Sequence, residues 1–284
     1  MKISIRINAE ECSRCFICTR VCPNQSLSII NDEISINHEF CISCGHCAAV
    51  CPTGCITPFK ENPFSVGIIP SELPDAQRIF HEKRSVREFK RTPLPVDLLK
   101  QLAAYAEKAP SAHNARTRSY FIITDPSKIN ELEEAAINQY RKLDRLLNSA
   151  TLKLISILQG ARTDEDLSQR SDDFKNMLQR YDNGDKPIFR NAPCVICIAA
   201  PADNTVAKDD CVAAQHYMML FGHTQGLGSC VIGYAQYVHK QIEKHLNIPS
   251  GYKIYAVSIF GYPLYKYKKE IIFENPARIH FIGS

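Results

Sequence analysis

The chain of 284 residues has no long apolar run and no basic block. Its most apolar stretches, such as residues 194–202, fall far short of the roughly 18 residues that a membrane span needs. The opening MKISIRINAEEC has no apolar h-region, so no secretory leader is expected and a cytoplasmic location is. Lysine and arginine are not grouped with interleaved aromatics, which removes the usual footprint of nucleic-acid binding. Hydrophobic residues at 45% and charged residues at 23% exclude a disordered or collagen-like chain. At roughly 150 residues per domain, this length suggests about two domains.

Cysteine is in surplus, with 13 residues, nine of them within the first 55 positions. Two runs stand out. CSRCFICTRVCP holds Cys12, Cys15, Cys18 and Cys22, and CISCGHCAAVCP holds Cys41, Cys44, Cys47 and Cys51. Each reads C-x2-C-x2-C-x3-C-P, and the second follows the first at a constant offset of 29 (Cys12 to Cys41). The offset extends upstream, where Ile5, Ile7, Asn8 and Glu10 map onto Ile34, Ile36, Asn37 and Glu39. Such self-similarity means one small unit used twice.

Three chemistries compete for these thiols. Disulfides belong to secreted domains. Zinc is usually gripped by two separated C-x2-C arms. A four-iron cube takes thiolates from one tight wrapping loop, with the fourth cysteine of each run serving the other cluster. The spacing favours the cubes. Cys12, Cys15, Cys18 and Cys51 are expected to bind one [4Fe-4S] cluster, and Cys41, Cys44, Cys47 and Cys22 a second. Residues 1–59 resemble a two-cluster bacterial ferredoxin. Cys55 aligns with Ser26 and reads as a buried packing thiol. Four thiolates on a 2+ cube leave about −2 per cluster, so the formal net charge of +4 falls to about zero in the loaded protein.

Residues 60–78 carry three prolines and one glycine without a sustained period and are expected to form a connector. From residue 79 the pattern becomes that of a mixed α/β domain. Helices are expected near 93–110, over 127–158 (whole or broken) and over 210–224. Strands are expected at 119–124, 192–200 and 254–260, with a polar excursion at 160–190. Cys194 and Cys197 share one expected strand, where odd spacing sends their side chains to opposite faces. They read as packing residues rather than a redox dithiol, and Cys230 is read the same way.

Four segments here could carry chemistry. KRSVREF groups Lys83, Arg84, Ser85 and Arg87, cations and a hydroxyl suited to a phosphate. APSAHN ends in Asn114, whose amide could meet a planar heterocycle. GLGSCVIGY lacks the spacing and context of a dinucleotide fingerprint and reads as a helix exit into a strand, with Gly233 as bare backbone. FGYPLYKYKK ends in Lys266, Lys268 and Lys269.

Taken in order, these segments resemble the FMN-dependent nitroreductase family over residues 79–284. Ala115, Arg116, Thr117 and Arg118 stand where many members have x-Q-P-W. The resemblance implies an α+β fold with a mixed central sheet flanked by helices, homodimeric, with FMN between subunits. It also implies that Lys83, Arg84, Ser85 and Arg87 hold the FMN phosphate, ribityl and pyrimidine groups. Asn114 would contact the ring, Val231, Ile232, Gly233 and Tyr234 would approach flavin N5, and Lys268 or Lys269 would complete the phosphate site. No side chain is required as a catalytic acid or base, because flavin N5 would carry the hydride. The expectation is therefore a ferredoxin module at 1–59, a linker at 60–78 and a flavin domain at 79–284. Together they would pass electrons through two clusters to FMN and on to a small electron-poor acceptor such as a nitroaromatic or quinone. The donor would be a ferredoxin or reductase, with NAD(P)H as another source. The alternative is a non-enzymatic electron-transfer or redox-sensing module acting through a protein partner.

Overall fold

The computed structural model describes residues 5–58, 64–69, 72, 75–146, 164–267, 269–273 and 277–283. The chain forms two compact units, one of residues 1–88 with 263–284 and one of residues 89–262.

The first unit displays the 29-residue repeat as geometry. Strand β1 (Ile5–Ile7), helix α1 (Ile17–Val21) and strand β2 (Leu27–Ile30) recur as β3 (Glu33–Ile36), α2 (His46–Val50) and β4 (Ile56–Pro58). Two of the two-stranded sheets each join one strand from each copy. β1 pairs antiparallel with β4, Ile7 opposite Ile56, and β2 pairs with β3, Leu27 opposite Ile36. The β2–β3 turn uses Asn31 and Asp32 at φ 50° and 59°, the primed turn that matches strand twist. The two copies are thus interleaved, and Ile5, Leu27, Ala48 and Ile56 close a small core between them.

Residues 60–78, expected as a connector, contain strand β5 (Phe64–Ile68) and the start of helix α3 (Asp75–Glu82).

The second unit begins with helix α4 (Val96–Ala106), a single turn at Ala112–Asn114 and strand β6 (Ser119–Ile123). Helices α5 (Pro126–Leu146) and α6 (Asp164–Asp182) follow, then strand β7 (Cys194–Pro201) and helix α7 (Ala207–Thr224). Strand β8 (Gly228–Val231), helices α8 (Gly233–Tyr237) and α9 (His239–Leu246) and strand β9 (Tyr252–Gly261) complete it. The sheet order is β6-β7-β9-β8. Its described pairings are all antiparallel, so within the expected α+β class the mixed sheet is refined to an antiparallel one.

Strand β7 is buried on both faces, which is why it reads as an unbroken apolar run. Val195, Cys197 and Ala199 face α5, α6 and α9 residues such as Leu132, Ile137, Phe174 and Ile242. Cys194, Ile196, Ile198 and Ala200 face α4 and α7 residues such as Leu102, Ala214 and Met218. The two cysteines sit in different cores, as their odd spacing requires. Burial pushes both thiols up to about 12, which leaves them inert as nucleophiles.

The last strand, β10 (Lys269–Phe273), belongs to the first unit and pairs antiparallel with β5, Lys269 opposite Ile68. Among the described residues no helix is long and apolar enough to cross a membrane.

Candidate functional site

The eight motif cysteines surround two hollows. Cys12, Cys15, Cys18 and Cys51 line one of about 280 Å³, with Ile34 and Ile56. Cys22, Cys41, Cys44 and Cys47 line another of about 400 Å³, with Ile5, Leu27 and Ile36. Each hollow thus takes three thiols from its own loop and the fourth from the other copy, a direct result of the interleaved pairing. The loops curl inward through left-handed residues that also obey the offset: Arg14 and Phe16 at φ 54° and 56°, Ser43 and Gly45 at 52° and 71°.

Among the described residues no three His, Cys, Asp or Glu side chains converge as they would on a single ion. Four thiols ringing a hollow suit a cube whose irons each take one sulfur. Cys22 Sγ already accepts a backbone N–H from Ser26 at 3.2 Å.

Three of the thiols do not ionise readily alone, whereas at Cys51 burial is outweighed by hydrogen bonds from Thr53 and Cys55, which lower the pKa. Burial, then the neighbouring Cys15, pushes Cys18 up to about 12. Burial likewise raises Cys44 and Cys47. Only a cationic centre offsets that cost, so loading must release protons. Cys55 is buried at the edge of the first hollow, its Sγ 3.6 Å from Cys51 Sγ.

The Lys83–Arg87 segment follows α3 and lies in the same unit as the thiols. Arg84 donates to the Lys83 carbonyl at 2.8 Å, and Arg87 to the Ser85 carbonyl at 3.2 Å. Burial depresses Arg84, countered first by the Glu270 carboxylate, and Glu270 is itself hydrogen-bonded to His81.

Sequence reasoning missed His46. It opens α2 between Cys44 and Cys47, is 8% exposed, and its Nδ1 lies 3.3 Å from the Cys44 carbonyl. Its ring meets Tyr267 edge-on at 5.5 Å. Burial, then Arg87, holds its pKa down to about 4, while the Cys44 and Ser85 backbones pull the other way. Nε2 nevertheless closes no hydrogen bond of ordinary geometry among the described residues. The available signal was a break in the repeat, since the matching position in the first copy is Ile17.

Of the C-terminal lysines, Lys268 lies outside the described residues. Lys269 reaches the loop after Cys51, its Nζ 2.9 Å from where a Cβ on Gly54 would stand. The residue beside Arg84 in charge is the next one, Glu270.

Asn114, Val231, Ile232, Gly233 and Tyr234 belong to the second unit. His113, Asn114 and Arg116 all have positive φ (53°, 52° and 47°), a cluster of strain that non-glycine residues seldom adopt. The Asn114 amide oxygen accepts from Arg116 Nε at 2.9 Å. This loop is braced from below: Ala112 N–H donates to the Asp210 carboxylate at 3.1 Å. The buried Arg118 donates to the carbonyls of Ala109 at 3.1 Å and Asp210 at 3.3 Å. Sequence reasoning missed that brace as well, because its partners are scattered along the chain.

Beyond α7, Gly226 at φ 76° turns the chain into β8. Ile232 N–H donates to the Val257 carbonyl, and the Tyr234 carbonyl accepts from the buried Tyr140 hydroxyl at 2.6 Å. Gly233 begins α8 with an open face, where a Cβ would meet no atom within 4 Å. Such a backbone can be approached closely by a flat group.

Residues 81–262 match the Nitroreductase family. The chain belongs to that family. Residues 4–52 match a 4Fe-4S dicluster domain, so this nitroreductase-family oxidoreductase carries a ferredoxin-type domain ahead of its main fold. A curated relative, an NADH dehydrogenase of Thermus thermophilus, is 25% identical over 197 residues, 66% of this chain and 87% of its own. A nitroreductase with bound FMN from Desulfitobacterium hafniense superposes at TM-score 0.52 with 17% identity, covering 74% of this chain and all of that one. Another with bound FMN, from Bacteroides fragilis, gives 0.51 at 19% identity over 67% of this chain and 89% of its own. At those identities the structures speak for the fold.

Proposed function

We propose that this family member passes electrons through two [4Fe-4S] clusters to FMN and on to an electron-poor acceptor such as a nitroaromatic or quinone. The observation that carries this reading is the pair of four-thiol hollows, each completed by the other copy of the repeat, in one chain with a nitroreductase fold. When bound, the clusters supply one-electron steps and the flavin couples two of them to a two-electron reduction.

The chain's own residues bind and orient. Lys83, Arg84, Ser85 and Arg87 would hold the FMN phosphate and ribityl groups, with Lys268 or Lys269 adding charge. Asn114 would meet the ring, and the backbone of Val231, Ile232, Gly233 and Tyr234 would lie against it. The open face of Gly233 and the strained, braced Asn114 loop fit those tasks. A homodimer would complete the site, and the half-exposed Tyr105 and Tyr217 on α4 and α7 leave apolar surface for it. The domain limits in this reading are 1–59, 60–78 and 79–284.

The test is anaerobic reconstitution with iron, sulfide and FMN, followed by a low-potential one-electron donor while flavin absorbance is watched. Flavin that bleaches with the clusters supports the path, and flavin that stays oxidised beside bleached clusters overturns it. The Thermus thermophilus relative favours a second reading, with NADH as the direct reductant. In that case NADH alone bleaches the flavin.

A further inference from the structure

We propose that the site of Cys22, Cys41, Cys44 and Cys47 hands electrons toward the flavin, across His46 and the Lys83–Arg87 segment, and that the site of Cys12, Cys15, Cys18 and Cys51 takes them in. This order rests on the reading above, in which the Lys83–Arg87 segment holds FMN.

The two sites are copies, so what distinguishes them is what is packed on each. His46 sits one residue from Cys47 and two from Cys44, and its ring lies against the Cys44 carbonyl and Tyr267. Leu264 N–H donates to the Glu88 carbonyl at 3.0 Å, so the segment that carries Tyr267 is bound to the end of the Lys83–Arg87 segment, and Arg87 and Arg84 lie within electrostatic reach of the ring. The second site therefore adjoins the proposed flavin-phosphate segment through one buried imidazole. At the first site the equivalent position is Ile17, and the charged groups acting on Cys18 are other cysteines of its own set. Cys15 of the first set is exposed, whereas no thiol of the second is. An external donor thus meets the first site, and the flavin segment meets the second.

Arg87 adds direction. A cube gains negative charge on reduction, so a fixed cation nearby favours its reduced form, one of the ways a protein raises a cluster potential. Each passage moves one electron, the donating cube returning from its 1+ to its 2+ level. Two passages with protons from solvent make one two-electron reduction of the flavin, and the electrons come from a low-potential one-electron donor such as a reduced ferredoxin.

The test is a redox titration of the reconstituted full chain followed by electron paramagnetic resonance, after iron and FMN are measured. In Arg87→Gln the reduced-to-oxidised ratio of one cube at a fixed potential falls roughly tenfold, the size expected for one nearby charge screened by solvent. Arg87→Lys restores it. The affected signal is the one lost in Cys44→Ser and kept in Cys15→Ser. Should a ligand variant fail to fold, Arg14→Gln, on the loop between Cys12 and Cys15, marks the first cube, and it and Arg87→Gln must move different signals. A shift on the cube lost in Cys15→Ser, or on both cubes equally, overturns the order. Iron well below about eight per chain, or no FMN, overturns the underlying reading and this order with it.

Discussion

Arg118 and Glu107 form an ion pair, Nε to Oε1 at 3.2 Å, in which the arginine side chain is wholly buried and the glutamate one-third exposed. Glu107 also accepts from the Tyr120 hydroxyl at 2.5 Å, and burial together with that bond raises the phenol. The guanidinium spends its other donors on backbone carbonyls beneath the Asn114 loop. Arg118→Leu leaves those buried carbonyls without donors while water can solvate the partly exposed Glu107, so a loss of about 1–3 kcal/mol is expected. Urea unfolding measures it. FMN affinity should fall as well in any Arg118 variant that still folds, and an unchanged midpoint with unchanged affinity refutes the brace.

Glu133 on α5 is 1% exposed, and both of its oxygens accept backbone N–H groups, from Ile188 at 2.9 Å and Phe189 at 2.8 Å. It ties down the end of the 160–190 excursion. Glu133→Ala strands both donors, at about 1–3 kcal/mol each, measurable as a lowered Tm.

The same residue gives a pH dependence. Burial raises Glu133 above its usual value, and its two backbone donors only partly oppose this. A carboxyl raised in the folded state binds a proton there that the unfolded chain has released. Its contribution to stability therefore falls as pH rises from the unfolded value, about 4.3, through the folded one. Unfolding free energies across that window should decline with pH in the native sequence, and that part of the slope should vanish in Glu133→Gln. An identical slope in both counts against the shift.

Gly261, at the end of β9, has no room for a side chain. A Cβ there would lie 2.8 Å from both Phe89 Cδ1 and Pro193 Cδ. Gly261→Ala is expected to cost about 1–3 kcal/mol through overpacking, whereas Gly233→Ala, with open space around it, should leave the fold intact and weaken FMN binding. Tm and flavin fluorescence separate the two.

Cys55 lies against Cys51 without being needed as a ligand. Cys55→Ala should retain all the iron of the native protein, while Cys47→Ser should lose about half of it, one cube of two. An equal loss from both variants makes Cys55 a ligand.

The cysteine module was almost wholly legible from sequence. Ligand spacing and the offset recur within 29 residues, so local pattern specifies local form, although the two short helices became visible only in the structure. Strand β7 was legible for the same kind of reason, because burial on both faces writes an unbroken apolar run. The brace around Arg118 was not, since Glu107, Ala109 and Asp210 meet it only after folding, and no period links them. His46 was visible only as an oddity in a repeat.

By itself, the order of residues determined that eight thiols form two interlocked sets and that an α+β core follows, since both depend on spacing and on side-chain periodicity; that its sheet is antiparallel was decided by the fold. Only folding in three dimensions decided that β10 returns from the far end of the chain to pair with β5, bringing Glu270 to His81 and Tyr267 to His46. It also decided that Leu264 binds Glu88, at the end of the Lys83–Arg87 segment. Contacts between distant segments depend on which surfaces are left to pair once local elements have formed, and a linear pattern carries no record of that.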